Sequence, residues 1–132
     1  MSGKPFAAPV ADPTSKPVWD AARQGKLLIG LCKDTGKHFW YPRGVSPFTL
    51  SPNVEFVEAK GTGTVYSYTI LRAGGPVCAA YVQIDEGPRL FTNIVDCDLA
   101  EIRIGTKVRV VFKPSETASG EAGAPVPTFT AA

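Results

Sequence analysis

From Glu55 onward the chain alternates strand-length runs with turn-forming clusters, and this rhythm constrains the fold more than any other feature. Glu55–Ala59 alternates apolar and polar residues. Gly63–Leu71 (GTVYSYTIL) alternates further, with Val65, Ser67, Thr69 and Leu71 expected on one face. Val77–Ile84, Arg89–Val95 and Lys107–Phe112 follow at the spacing of an all-β meander. Side chains alternate between faces along a strand, so such runs suit a sheet that is dry on one side. The break Asp85-Glu86-Gly87-Pro88 is a turn for a physical reason: Gly tolerates positive φ and Pro fixes φ. Ile102–Gly105 reads as a short link back into the sheet. Five strands with one longer connection predict a small closed barrel, in which closure removes the exposed edges.

The first half reads differently. A helix is expected early: Thr14 or Ser15 caps it, Pro17 sits near its first turn, Trp19, Ala22 and Arg23 follow, and Gly25 stops it. Leu27–Cys32 is a short apolar run, and His38–Tyr41 (HFWY) is rich in β-formers. Between them Lys33-Asp34-Thr35-Gly36 signals a hairpin turn. Small residues, Gly and Pro crowd both ends and predict an extended arm and a mobile loop. The expected organisation is a flexible arm over 1–13, a helix and hairpin over 14–54, and the barrel over 55–132 with a mobile segment at 115–127.

Composition narrows the function. The chain has 132 residues, the size of one domain. Lys and Arg number 14 against 12 Asp and Glu, and the net charge of +2 is scattered in single residues. Nothing electrostatic calls for a nucleic acid. No apolar run approaches the roughly 20 residues that span a bilayer, and the first residues lack the apolar core of a signal peptide. The three cysteines, Cys32, Cys78 and Cys97, are odd in number and far apart. They read as free thiols of a reducing compartment, and the expected location is the cytoplasm.

Several motifs carry a resemblance when taken in order: the Trp-containing helix, Gly25-Lys26-Leu27, a Cys-x-x-x-Gly hairpin, an aromatic-Pro-Arg segment, Gly61–Thr69, Asp85–Leu90 and Ile104–Val108. Over roughly residues 17–113 the chain resembles the rubredoxin-like zinc-ribbon plus OB-fold family, domain of unknown function 35. The resemblance implies an OB-type barrel behind a ribbon. It also implies an accessory role beside thiolase-like, lipid-transfer-like or hydratase enzymes that handle acyl-CoA. The family ribbon reads Cys-x-x-Cys-Gly and then Cys-Pro-x-Cys. Here the knuckles read Cys32-Lys33-Asp34-Thr35-Gly36 and Ser46-Pro47-Phe48-Thr49. Only Cys32 remains of four ligands, with Thr35, Ser46 and Thr49 at the other positions. Structural zinc takes four thiolate or imidazole donors, so no zinc is expected, and adding His38 does not complete a site. Something must replace the folding free energy of the metal. The expectation is an aromatic cluster of Phe39, Trp40, Tyr41, Phe48 and Leu50.

No catalytic constellation is visible. His38 is the lone histidine, Cys78 and Cys97 lie in or beside apolar strands, and Asp85/Glu86 and Asp96/Asp98 sit at strand ends where solvated turn formers are common. Binding is the better question. Tyr66, Tyr68 and Tyr81 offer a ring surface on the barrel strands, and the candidate ligand or partner contacts are Trp40, Tyr41, Arg43, Lys60, Arg72 and Arg89. Arg43 leads, since the resemblance puts it between ribbon and barrel. Three readings stay open: an accessory subunit of a thiolase-like enzyme, a stand-alone binder of acyl-CoA, and a stand-alone OB binder of single-stranded nucleic acid. Self-association through the aromatic ribbon is a further expectation. No tightly bound cofactor is expected, with acyl-CoA the candidate ligand.

Overall fold

The computed structural model describes residues 6–10, 12–73 and 75–132. The chain opens with β1 (Phe6–Ala7) and α1 (Lys16–Ala22). Ser15 stands before α1, and Pro17 lies in its first turn. Asp12 and Ser15 bond each other reciprocally: Ser15 N donates to Asp12 Oδ1 at 2.7 Å, and Asp12 N donates to Ser15 Oγ at 3.1 Å. The Ser15 hydroxyl is thereby turned away from capping the helix. Val18 and Ala22 are the buried face of α1, and Trp19 is half-buried.

β2 (Leu28–Cys32) lies between β3 (His38–Phe39) and β4 (Val54–Glu58) in an antiparallel three-stranded sheet. Gly30 faces Phe39 across it, and a Cβ at Gly30 would fall 2.2 Å from the Phe39 ring. Glycine here lets the ring lie flat over the sheet. The remaining long strands are β5 (Thr62–Leu71), β6 (Val77–Ile84), β7 (Arg89–Ile94), β8 (Lys107–Lys113) and β10 (Val126–Ala131), with β9 (Ser115–Glu116) between the last two. They close a barrel in the order β10-β7-β6-β5-β8.

The architecture is the all-β one read from the sequence, a five-stranded OB-type barrel behind a helix and a ribbon, but its strands are not the five expected. Glu55–Ala59 had been assigned to the barrel. Instead Val54–Glu58 pairs with all five residues of β2, from Leu28 opposite Glu58 to Cys32 opposite Val54. The two residues of β3 leave most backbone groups along that stretch of β2 without a ladder, and β4 supplies one along the other edge. The fifth barrel place goes to β10, which pairs with β8 over six residues and meets β7 in parallel at Phe129 opposite Ile94. The expected mobile segment 115–127 therefore contains structure at both ends. Ser115–Glu116 pairs in parallel with Phe6–Ala7, inside the stretch expected as a free arm. The rest of that arm at 1–5 and 11 lies outside the described residues.

The face expected along β5 is also corrected. A register shift between Val65 and Ser67 inserts one residue into the ladder with β6. Such a bulge reverses the alternation beyond it. Val65 is buried, yet it is Tyr68 and Ile70, not Ser67 and Thr69, that continue toward the core. One apolar cluster joins the two parts. Leu27, Ile29 and Ala59 from the ribbon side pack with Val65, Val82, Ile84, Leu90, Ile94, Ile102, Val108 and Phe129. Among the described residues no helix is long and apolar enough to cross a membrane.

Candidate functional site

The ribbon hairpin is shaped by two turns. In the first, Gly36 N donates to Cys32 O at 2.8 Å, Cys32 N to Lys37 O at 2.9 Å, and Lys37 N to Thr35 Oγ1 at 3.2 Å. In the second, the buried Ser46 Oγ accepts from Phe48 N at 3.0 Å and from Thr49 N at 3.2 Å. Leu50 N donates to Ser46 O at 2.9 Å and Ser46 N to Ser51 O at 2.8 Å. Asp34 ties the turns together, accepting from Asn53 Nδ2 at 2.8 Å and from Thr49 Oγ1 at 3.1 Å. Those bonds hold its carboxyl below the ordinary value, that from Asn53 being the larger cause and that from Thr49 the next. Cys32 is fully buried. Hydrogen bonds from Ser46 first and Thr35 second lower its thiol to about 7.

The loop that these bonds hold displays apolar side chains to solvent. Tyr41, Val45, Phe48 and Leu50 are all exposed, Leu50 at 79%. Leu50 also sits at φ 62°, a left-handed conformation that is rare and costly for a branched side chain. The expected aromatic cluster forms only in part. Phe39 is buried and meets Phe48 edge-on at 6.5 Å, and Trp40 packs on the core and against Tyr41 at 5.5 Å. Phe48, Leu50 and Tyr41 remain in water, so this is no closed apolar substitute for a metal. Lys37 lies over the Phe48 ring at 5.4 Å, and the exposed Arg43 is on the same loop.

The barrel carries a second surface. Tyr81 faces Phe91 across β6 and β7 with ring centroids 5.2 Å apart, and both rings are exposed. The Arg89 guanidinium stacks 3.9 Å from the centre of the exposed Tyr66 ring, which the β5 bulge turns outward. Tyr68, grouped with these in the sequence reading, is half-buried against the core. Phe91 escaped that reading. The alternation in RLFTNI, which puts Arg89, Phe91 and Asn93 on one face, was the signal that could have found it. A third feature is a cavity of about 620 Å³ at the end of β5, lined by Ile70, Arg72, Pro76, Ile94, Cys97 and Leu99 among others. A neighbouring cavity shares Ile70, Arg72, Leu99 and Ala100 and reaches Arg103. Neither includes Trp40, Tyr41, Arg43, Lys60 or Arg89. The six sequence candidates thus divide among the ribbon loop, the ring face and this cavity. Lys60 is exposed, and its backbone amide donates to Glu86 Oε2 at 2.8 Å.

Comparison with known proteins follows the same division. Residues 19–45 match the family described as ChsH2, rubredoxin-like zinc ribbon domain, and residues 56–113 match ChsH2, C-terminal OB-fold domain. A DUF35 domain-containing scaffold protein of Methanocaldococcus jannaschii is 30% identical over 105 residues, covering 72% of this chain and 74% of that protein. The chain belongs to the DUF35 family. A Thermomonospora curvata protein described as a "Probable enoyl-CoA hydratase alpha subunit" is 36% identical over 97 residues, 68% of this chain but 30% of that longer protein. Among solved structures, a chain of the "Ltp2-ChsH2(DUF35) aldolase" superposes with a TM-score of 0.75 at 29% identity, covering 93% of this chain and 98% of that one.

The zinc that the DUF35 ribbon implies does not fit the residues present. One thiol and three hydroxyls occupy the four positions, and a hydroxyl does not ionise near neutral pH. A hydroxyl has one proton and two lone pairs. Both lone pairs of Ser46 Oγ already accept amides. Among the described residues no group of three or more His, Cys, Asp or Glu gathers to hold a metal. The other candidate chemistry in this DUF35 chain is taken up structurally. Thr62 Oγ1 donates to Asp85 Oδ2, Asp96 pairs with Lys113, and Asp98 Oδ1 accepts from Ala100 N at 3.0 Å at the start of the 3-10 turn Leu99–Glu101. Burial raises the Cys78 thiol. Cys97, expected to be buried, is only half-buried and lines the Arg72 cavity.

Proposed function

We propose that this chain is a non-catalytic accessory subunit of an acyl-CoA enzyme of the thiolase-like or lipid-transfer-like kind, docking through the ribbon loop. The observation that carries the reading is the loop itself. Four large apolar side chains within ten residues stand in water on a backbone pinned by side-chain hydrogen bonds. Exposed apolar patches of that kind mark contact surfaces on soluble domains. A branched residue held in a left-handed conformation at the tip, far from any packing benefit, points the same way. Lys37 and Arg43 give the patch a basic rim that suits an acidic surround on the partner. Trp40 and Tyr41 extend its apolar area, and the names of the DUF35 relatives support an enzyme-associated role. In this reading the cavity beside Arg72 takes a polyanionic portion of acyl-CoA, to which a guanidinium offers paired donors. Lys60 and Arg89 are the more distant candidates for such contacts.

Affinity purification of the tagged protein from its host, with identification of what co-elutes, tests this. Stoichiometric recovery of an acyl-CoA enzyme, lost in Phe48→Glu or Leu50→Glu, is the expected result. Recovery of the protein alone at low salt refutes the reading. A second reading draws on the ring face. Tyr66, Tyr81 and Phe91 beside Arg89 form a stacking surface of the type on which OB barrels bind single-stranded nucleic acid or another flat ring. With one cation on that surface, such binding would weaken with salt at a log–log slope of only about −0.7.

A further inference from the structure

The two knuckle turns carry a hydrogen-bond arrangement that closes on itself, and this bears on what the family name says of the ribbon. We infer that the ribbon folds as a metal-independent knuckle in which the Ser46 hydroxyl, with Cys32, Thr35, Asp34 and Asn53, bridges the two turns in place of a bound zinc.

Valence decides the argument. Ser46 Oγ accepts two amides from its own turn, Phe48 N and Thr49 N, and has one proton left to give. That proton reaches the Cys32 sulfur on the first turn, where Thr35 bonds as well. Thr35 Oγ1 has an acceptor role too, for Lys37 N. A second bridge runs outside the first: Asp34 takes the Thr49 hydroxyl and the Asn53 amide, and Lys33 N donates to Asn53 O at 3.0 Å. Each side chain at the four ligand positions therefore has a defined donor or acceptor task. Thr49, whose side chain would have to turn inward to ligate, spends its proton on Asp34 instead. The bridging is local and polar, unlike the aromatic replacement the sequence suggested. Its members Ser46 and Cys32 are both fully buried, where an unmade hydrogen bond is costly.

The test uses the full chain. Metal analysis of the purified protein should give well under a tenth of an equivalent of zinc, and excess chelator should leave the amide spectrum of residues 28–58 unchanged. One equivalent of zinc that survives gel filtration, with ribbon signals lost on chelation, would overturn the inference. Ser46→Ala removes the shared acceptor and should raise amide exchange at Phe48 and Thr49 at least tenfold while barrel amides hold. Should that variant fail to fold, the exposed Asn53→Ala, which cuts only the outer bridge, should give a smaller rise confined to the same turns. Exchange unchanged in both variants would mean that the hydroxyl bridge does not hold the knuckle.

Discussion

Removing the Phe129 side chain tests whether β10 is the strand that closes the barrel. Phe129 is fully buried, sits opposite Val110 on β8, and makes the bridge to Ile94 on β7. A buried Phe removes roughly 150–250 Å² from water. Truncation to Ala forfeits most of that area, and at about 25 cal/mol per Å² the loss is about 4 kcal/mol. Measured Phe-to-Ala changes in cores agree, at roughly 3–5 kcal/mol including the cavity left behind. A domain of this size has about 5–15 kcal/mol in total. In urea, with a slope near 1.5 kcal/mol per M, the midpoint should fall by about 2.5 M with the slope unchanged. Phe129→Leu, which nearly conserves volume, should cost under about 1.5 kcal/mol. Unfolding followed by Trp fluorescence and far-UV circular dichroism measures both. A loss below about 1 kcal/mol for Phe129→Ala would refute the assignment of β10 to the closed barrel.

Three other outcomes are expected. Leu50→Gly relieves a left-handed conformation worth about 1–2 kcal/mol while giving up little burial, and glycine's greater unfolded-state freedom offsets part of it. Thermal unfolding should show a small net gain in stability even as partner binding weakens. Gly63→Ala would bring a Cβ to 2.4 Å from the Gln83 carbonyl oxygen and 2.9 Å from Ile84 Cα, backbone atoms that cannot swing aside. The expected cost is about 2–3 kcal/mol by chemical denaturation. Asp34 carries a folded-state value depressed below 3.8, so its contribution is present above that pH and disappears as pH falls through the lower folded value. Hydrogen exchange of the ribbon should hold steady from neutral pH to about 4 and rise below it, after correction for intrinsic rates, and Asp34→Asn should abolish that acid step.

Much of the barrel was legible because alternation reports the face of a strand directly. Val77–Ile84 and the turn Asp85–Pro88 lie where pattern and turn chemistry put them. β10 was hidden because VPTFTA lacks a long apolar run and contains Pro127. A proline is tolerated there because β10 touches β7 at one bridge, so the missing amide interrupts no long ladder on that side. The swap of β4 into the ribbon was not legible either. Alternation says that Glu55–Ala59 forms a strand, but not which neighbour has open hydrogen bonds. The β5 bulge escaped for a related reason, since a two-residue period carries no mark of an inserted residue. At the ribbon, the lost ligands were plain in the residues Thr35, Ser46 and Thr49. Their replacement was not, because hydroxyl networks depend on rotamers and turn geometry that no spacing encodes. The exposure of Phe48 and Leu50 likewise follows from the turns rather than from hydrophobicity.

The order in which strands pair along the chain has a consequence for biosynthesis. The ribbon ladder is complete once Glu58 is available, since β2, β3 and β4 all lie before it. Barrel closure instead awaits Val126–Ala131. During synthesis β7 and β8 therefore leave the ribosome with open edges, the state in which strands recruit wrong partners. A knuckle that needs no metal delivery can set its turns during that interval, and Leu27, Ile29 and Ala59 then offer an apolar surface on which the barrel strands assemble.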